Sequence, residues 1–254
     1  TKTKKKPVKI KKAPQTVDSR LKNQRTTRVM LLILFLEAFA LYANTINNGF
    51  VLDDMSVIEN NWVTKRGTDG ISIHLQNSYR YGYWSIQGTL YRPLSLVMFA
   101  TEWEISPNNP SIHHLINILI YGVLALVLFT FLNRMFRDKK PYLAFLSVAL
   151  FIAHPIHTEV VANIKSRDEL LAFTLIISAL ILLLKYVDGK KIIYLIASVV
   201  LYFLAFMSKE SAITFLAIIP LVLLYYRKFS IVKSLITTSF YIPAAATYLG
   251  LRAK

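Results

Sequence analysis

The sequence contains no cysteine and has few acidic residues. The absence of cysteine excludes a disulfide framework and a metal site built from thiolates, although it leaves the redox compartment unspecified. Only 14 Asp and Glu residues stand against 30 Lys and Arg residues, and charged residues make up 17% of the chain. No internal repeat and no cleavable signal peptide are visible. The fold class therefore has to be inferred from the apolar residues.

Hydrophobic residues make up 54% of the chain and occur in runs too long for an ordinary soluble core. They predict an all-α integral membrane protein with about seven transmembrane helices. The segment at 142–153 is short, but neighbouring helices can shelter its polar continuation. The predicted segments are 29–46, 112–132, 142–153, 169–186, 192–207, 212–226 and 234–250.

Basic residues predict the orientation of these helices. Residues 1–28 are rich in Lys and Arg and contain one acid, Asp18. By the positive-inside rule this end is cytoplasmic, and the basic connections at 134–140, 185–191 and 227–233 fall on the same side. The long connection 47–111 then lies on the opposite face, which is periplasmic or lumenal.

The net charge of +16 also raises the alternative of nucleic-acid binding. The excess lies in the tail and the inner connections, where it serves topology and contact with anionic lipids, so no nucleic-acid partner is expected. Residues 1–28 are expected to form a disordered tail. Residues 29–254 are expected to form the membrane module, truncated at its C-terminus. The outer loop 47–111 is too long for a plain connection and is expected to be ordered, with short amphipathic helices.

An acidic pair, Asp53 and Asp54, follows the first apolar segment in the run NNGFVLDD at residues 47–54. Carboxylates at a membrane surface are suited to deprotonating a hydroxyl beside a lipid-borne substrate. The alternative is that one aspartate only caps a short helix beginning near residue 57.

Arg92 precedes Pro93, a residue suited to the first position of a helix. The following run, 95–105, is too short to span a membrane and is expected to lie at the interface with Trp103 as an aromatic anchor. Arg92 then faces the head-group region, where it can bind an ordinary lipid phosphate or serve catalysis.

The second outer connection carries His154, His157 and Glu159 in the run HPIHTE. Two histidines and an acid can ligate a metal, but their spacing lacks the HExxH order of zinc peptidases, so a divalent metal is possible without being favoured. Ser166 and Glu169 fit a capping box that opens the next helix.

Further polar residues occur at the outer ends of the predicted helices. His113, His114 and Asn117 begin the second apolar segment, and Lys209 and Glu210 stand between the fifth and sixth. Lys209 and Glu210 can pair with each other, but ionisable groups at membrane depth are functional candidates. Glu37 in the first segment is a further candidate, without an assigned partner.

Five motifs together resemble those of the transmembrane and tetratricopeptide-repeat O-mannosyltransferases. They are NNGFVLDD at 47–54, YRPL at 91–94, HPIHTE at 154–159, RDELL at 167–171 and SKE at 208–210. The chain resembles a bacterial homologue over residues 28–254. The resemblance implies the GT-C glycosyltransferase fold, with a multi-helix bundle, a periplasmic or lumenal active site in the bacterial inner membrane or a eukaryotic membrane, and polyprenyl-phosphate sugars as donors. Tetratricopeptide repeats and further membrane helices, usual in that family, are not in this sequence.

The resemblance implies an inverting transfer of a sugar, mannose by family likeness, to a Ser or Thr hydroxyl of a translocated secreted or membrane protein. Asp53 or Asp54 would be the general base, with Asp53 preferred. Donor-phosphate ligands are expected in Arg92, Arg167 and Lys209, which would stabilise the leaving group. The residues expected to shape the site are His114, His154, His157, Glu159 and Glu210.

Three alternatives stand beside this prediction. A GT-C enzyme with a glycan or lipid acceptor would use the same acid and the same donor class. A transporter or flippase would also place charges in a cavity, although the sequence lacks matched Gly/Pro interruptions. A non-catalytic scaffold would need none of these residues for glycan formation.

Overall fold

A computed structural model describes residues 17–84, 88–136 and 140–253, and every regular element in these ranges is a helix. The all-α prediction is confirmed for this part of the chain. The helices are α1 Val17–Tyr42, α2 Ile71–His74, α3 Pro93–Ile105, α4 Pro110–Met135, α5 Pro141–Ile152, α6 Thr158–Val161, α7 Arg167–Gly189, α8 Ile192–Ser208, α9 Phe215–Arg227, α10 Ile231–Ser239 and α11 Ile242–Arg252.

Proline marks the start of several helices, because its fixed φ suits the first turn and its missing N–H has no partner there in any case. α3, α4 and α5 begin at Pro93, Pro110 and Pro141. At α4 the side chain of Asn109 adds a cap by accepting a hydrogen bond from the backbone N–H of Ser111 at 3.1 Å. The prediction that Pro93 opens a helix is confirmed.

Four helices are long and apolar enough to cross a bilayer: Gln24–Asn47, Pro110–Met135, Ile164–Gly189 and Glu210–Arg227. A fifth crossing results if Pro141–Ile152 and Pro155–Val161, which bend by 54° at His154, are one broken span. α8 is apolar but has only 17 residues. By length and composition, the described residues therefore support four or five crossings.

The seven crossings expected from the sequence are not confirmed. The segment 234–250 forms two short helices instead of one, because the chain turns at Phe240 and Tyr241 between α10 and α11. Helices of 9 and 11 residues are each too short to span the hydrocarbon core.

The first helix extends further towards the N-terminus than the predicted tail boundary. α1 begins at Val17, so residues 17–28 are helical where disorder was expected. Helix propagation from an established helix is favourable once nucleation is complete, which accounts for this extension. Residues 1–16 of the predicted tail lie outside the described residues.

The bundle has a core of aliphatic, aromatic and small residues, and many further aliphatic side chains lie on its surface. α7 packs along α8, and α4 lies between α1 and α7. Leu36, Ile193 and Val200 are each at least half exposed. A helix surface of this kind is suited to contact with lipid chains.

The described residues of the predicted outer loop, 47–84 and 88–111, form an ordered structure. Its own small core combines Val57, Ile58 and Tyr79 with Phe99 of α3. Asn61 organises the backbone around it: its Nδ2 donates to the carbonyls of Ser56 and Tyr81, and its Oδ1 accepts the N–H groups of two following residues.

The prediction for α3 is wrong in one respect. Trp103 is 9% exposed and belongs to the core of the outer loop, so it is not an anchor at the membrane interface. α3 packs between the turn Thr64–Gly70 and the bundle. Its apolar residues therefore have protein neighbours on more than one side.

A substitution at Gly122 tests the packing of α4 against α1. A Cβ atom at Gly122 would lie 2.7 Å from the ring of Phe35, whereas one at Gly250 in α11 would meet no heavy atom within 4 Å. Gly122→Leu is expected to lower the free energy of unfolding by about 1–3 kcal/mol through overpacking. Gly250→Leu, the matched control, should leave it unchanged or raise it by about 0.8 kcal/mol through helix propensity. Thermal unfolding in detergent measures both, and equal effects would contradict the packing at Gly122.

Candidate functional site

The two neighbouring aspartates have different surroundings. Asp54 is fully buried, and its carboxylate accepts the backbone N–H groups of Val51 at 3.0 Å and Lys165 at 2.8 Å. Burial raises the pKa of Asp54, although these two hydrogen bonds oppose the rise. Asp54 therefore ties the outer loop to the start of α7.

Asp53 is partly exposed. Its side chain is 46% exposed, and its Oδ1 accepts a hydrogen bond from Arg80 at 2.9 Å. The ammonium of Lys165 lies 3.9 Å from Asp53 Oδ2. Leu52, just before this acid, has a φ of +48°, a left-handed conformation that is unfavourable for a leucine and turns the chain sharply. Asp53 is thus the member of the pair that a substrate can reach.

The capping alternative for this pair is not supported. The turn Met55–Glu59 follows Asp54, but it has no cap bond from the Asp54 side chain. Asp54 instead accepts the N–H of Val51, which lies before it in the chain. The Asp53 side chain is directed at Arg80.

Arg92 joins three parts of the chain through two carboxylates. Its guanidinium donates to both oxygens of Glu210, at 2.8 and 2.5 Å, and to Asp168 at 2.6 Å. Burial lowers the pKa of Arg92, but the two carboxylates outweigh this effect and raise it above the ordinary value. The guanidinium also lies 5.5 Å from the ring centre of Tyr79. Arg92, which the sequence predicts as a ligand of the donor phosphate, therefore already binds two carboxylates of the protein.

Arg167 lies deeper and has no exposed surface. Its Nε donates to Asn117 Oδ1 at 2.7 Å, one terminal nitrogen donates to the carbonyl of His113 at 2.9 Å, and the other pairs with Glu102. These partners lie on α4 and α3, so Arg167 fixes the start of α7 to both helices. A direct bond from Arg167 to a donor phosphate has no support in this arrangement, because every nitrogen of the buried guanidinium is already directed at a protein acceptor.

Lys209 and Glu210 do not pair with each other. Lys209 forms its ion pair with Glu169, whereas Glu210 accepts from Arg92. The expected capping box is also absent: Ser166 stands at the cap position of α7 but makes no side-chain cap bond. The pair of Glu169 and Lys209 thus joins the start of α7 to the end of α8.

An apolar groove of about 330 Å³ lies beside these ion pairs. Its polar end is formed by His157, Glu169 and Ser211. Glu169 and Ser211 are the chain neighbours of Asp168 and Glu210, the two acids that hold Arg92. The remaining lining residues are Tyr121, Leu124, Phe151, Val160, Leu170, Ala172, Phe173, Ile176 and Phe215.

The predicted histidines and Glu159 do not form one cluster. His157 packs on Phe151, with 4.3 Å between the ring centres, and lines the groove. His154 and Glu159 are exposed, and His154 Nδ1 accepts the backbone N–H of Ile156 at 3.2 Å. His114 is buried in α4. No group of three or more His, Asp or Glu side chains within residues 17–84, 88–136 and 140–253 is arranged to hold a metal ion.

The sequence reasoning missed the roles of Glu102, Asp168, Lys165 and Arg80. Glu102 is an acid within the apolar run of α3, and this unusual position is the signal that indicates a buried partner. Asp168 and Lys165 flank Arg167 in the sequence but carry no separate motif. Arg80 lies in the outer loop 27 residues after Asp53, and no local pattern indicates their contact.

Comparison with known proteins finds relatives that match part of the chain. Protein O-mannosyl-transferase TMTC3 of Mus musculus is 30% identical over 191 residues, which cover 70% of this chain and 20% of that protein. Protein O-mannosyl-transferase Tmtc1 of Drosophila melanogaster is 29% identical over 187 residues, with the same two shares. Protein O-mannosyl-transferase F38B6.6 of Caenorhabditis elegans is 31% identical over 168 residues, which cover 61% of this chain and 23% of that protein.

The chain therefore spans about a fifth of the length of the curated relatives that it matches. No family model and no solved structure match it at a significant level. These three relatives come from animals, so the bacterial origin expected from the sequence stays a prediction.

The buried pair of Arg167 and Glu102 leads to a stability prediction. Arg167→Met leaves the carboxylate of Glu102 buried with only the imidazole of His113 beside it, so the free energy of unfolding should fall by about 3–5 kcal/mol. Combining it with Glu102→Leu should recover most of the loss, because no buried charge then remains. Thermal unfolding in detergent measures both variants.

Arg134→Met is the matched control for this experiment. Arg134 pairs with Asp188 at 2.7 Å, but both side chains are partly exposed, at 29% and 42%. An exposed pair contributes at most about 1 kcal/mol. If Arg167→Met has an effect as small as this control, the structural role of the buried pair is wrong.

Proposed function

We propose that this chain is the membrane part of a protein O-mannosyltransferase, which transfers mannose from a polyprenyl-phosphate donor to a Ser or Thr hydroxyl. The carrying observation is Asp53, a half-exposed carboxylate that pairs with Arg80 and lies 3.9 Å from the ammonium of Lys165, which lies equally close to Asp168 in the cluster of ion pairs. The names of the relatives favour mannose as the sugar and protein as the acceptor. The motif resemblance at 47–54, 91–94, 154–159, 167–171 and 208–210 favours the same family and a GT-C arrangement.

In the proposed reaction Asp53 acts as the general base. The acceptor oxygen forms a bond with the anomeric carbon while the bond between that carbon and the phosphate oxygen breaks. The proton of the hydroxyl passes to Asp53, and the bonding electrons leave with polyprenyl phosphate. Attack from the side opposite the phosphate inverts the anomeric configuration. The exposure of Asp53 supports this role, because a base must reach the proton that it removes.

Asp54 has a supporting role in this proposal. Its two oxygens each accept a backbone N–H, so its lone pairs serve the fold and its position is fixed. Through the bond to Lys165 it holds the start of the turn Ile164–Ser166 beside Asp53. The choice of Asp53 over Asp54 follows from this difference in burial.

The groove is the proposed site of the prenyl chain. Its wall consists mainly of aliphatic and aromatic side chains from α4, α5, α7 and α9, which suit a hydrocarbon. Its polar end lies beside Arg92 and Lys209, so a chain in the groove would bring its phosphate to the ion pairs. In this proposal Arg92 and Lys209 shape that end through Glu210 and Glu169, and their direct contact with phosphate stays a prediction.

The proposed site lies at the outer end of the bundle. On α7, Arg167 stands at the end that carries the site, and Asp188 stands at the other end, where it pairs with Arg134 and Arg227. A basic end of this kind is typical of the cytoplasmic side. This distribution supports the proposal that the N-terminus is cytoplasmic and that Asp53 lies on the periplasmic or lumenal side.

Asp53→Asn is expected to abolish transfer and leave the fold intact. An amide cannot accept the proton, and loss of a general base costs about 10²–10⁴-fold in rate. The measurement is mass spectrometry of Ser/Thr hexoses on exported proteins from cells that make the full-length protein or its variants at equal levels. Glycopeptides that persist unchanged in the Asp53→Asn cells would rule out Asp53 as the base.

Asp54→Asn provides the contrast. Both oxygens of Asp54 accept a backbone N–H in the wild type, so the amide nitrogen of the variant would leave one of these N–H groups without an acceptor. Both the melting temperature and the transfer rate should therefore fall. The melting temperature of Asp53→Asn should match that of the wild type. Transfer from polyprenyl-phosphate mannose is also assayed with lipid and glycan acceptors. Transfer to a lipid or glycan, with protein glycosylation unchanged, would show that the acceptor is not a protein.

A further inference from the structure

Most cations near Asp53 are already bound by carboxylates. Arg80 donates to Asp53 at 2.9 Å, Arg92 donates to Glu210 and Asp168, and Lys209 pairs with Glu169. Arg167 is enclosed by protein acceptors. An incoming phosphate would have to break one of these short contacts to reach any of these cations.

Lys165 differs from them. Its ammonium lies 3.9 Å from Asp53 Oδ2 and 3.9 Å from Asp168 Oδ2, both beyond hydrogen-bond distance. It donates no side-chain hydrogen bond to any residue within the described ranges. The side chain is 18% exposed, so it is partly shielded from water and still accessible. Its three N–H donors are available to a ligand.

The backbone of Lys165 is nevertheless fixed. Its N–H donates to Asp54 at 2.8 Å, and the carbonyls of Asn163 and Ile164 just before it accept from Asn117 at 3.1 and 3.3 Å. The lysine stem therefore starts from a fixed position, while its end can turn. The ring centre of Tyr79, at 6.0 Å, bounds the space on one side.

We infer that Lys165 binds the phosphate group of the polyprenyl-phosphate lipid. An ammonium on a flexible stem is suited to this task, because it is a compact charge that can follow the phosphate. The carboxylates of Asp53 and Asp168, each 3.9 Å away, keep the ammonium at the mouth of the site before the lipid arrives. This inference rests on the proposed function for its choice of lipid.

The position of Lys165 couples the two reactants. When the ammonium turns towards a phosphate, it moves away from Asp53, which then retains Arg80 as its cation and gains room for an acceptor hydroxyl. When the sugar leaves, the ammonium can donate hydrogen bonds to the negative charge that develops on the phosphate oxygen. Lys165 is thus a catalytic residue that the motif resemblance did not indicate.

The test measures lipid binding without catalysis. Radiolabelled polyprenyl phosphate is titrated into the full-length protein in nanodiscs, with the uncharged polyprenol of the same length as the comparison. Lys165→Gln should weaken binding of the phosphate by about 10- to 100-fold, the loss of a charge-assisted hydrogen bond, without changing the binding of polyprenol. Lys165→Arg should retain most of the affinity, and Lys65→Gln, an exposed lysine of the outer loop, should retain all of it.

Each outcome decides the role of Lys165. If Lys165→Gln binds the phosphate within twofold of the wild type, or if the wild type binds phosphate and polyprenol alike, the inference is wrong. If Lys165→Gln does not fold, the same titration is made with Lys165→Met, which retains an apolar stem and removes the charge. If phosphate binding depends on Lys165 but no Ser/Thr hexose forms in cells, Lys165 binds the phosphate as inferred, and the proposed transfer to protein is wrong.

Discussion

The buried guanidinium of Arg167 is the contact on which the outer end of the molecule depends. It joins the first residue of α7 to Glu102 on α3 and to Asn117 on α4. The residues on either side of it carry the other contacts: Lys165 reaches the acidic pair, and Asp168 reaches Arg92. One buried ion thus sets the position of a short segment whose remaining side chains face the candidate site. A charge without exposed surface is stable there because each nitrogen has an acceptor.

The cations at this end divide into two kinds. Arg92 and Arg167 occupy buried positions where a planar group meets several acceptors, whereas Lys165, Lys209 and Arg80 lie nearer the surface. This division follows the chemistry of the two side chains, because a guanidinium forms several directed hydrogen bonds and an ammonium pivots on a flexible stem. Lys165 and Arg167 therefore lie only two positions apart in the sequence, yet they differ in burial.

The sequence was sufficient for the helices but not for the pairing of charges. Apolar runs located most helices and Pro93 marked the start of α3, because both signals are local. The break between α10 and α11 was missed, although the polar run at 237–239 precedes it and Pro243 stands in the first turn of α11. The contact of Glu102 with Arg167 spans 65 residues, and nothing in the local sequence distinguishes buried Asp54 from exposed Asp53. Such assignments depend on tertiary packing, which a single sequence does not encode locally.

The apolar groove between the helices has a consequence for the traffic of reactants. Under the proposed function, a lipid-linked reactant held there arrives by two-dimensional diffusion in the bilayer, so its supply depends on its density per unit area of membrane. The acceptor hydroxyl arrives from the aqueous phase at Asp53, whose side chain is 46% exposed. The spent lipid would then leave within the bilayer, and the modified acceptor would leave into water. Neither product would have to wait for the other.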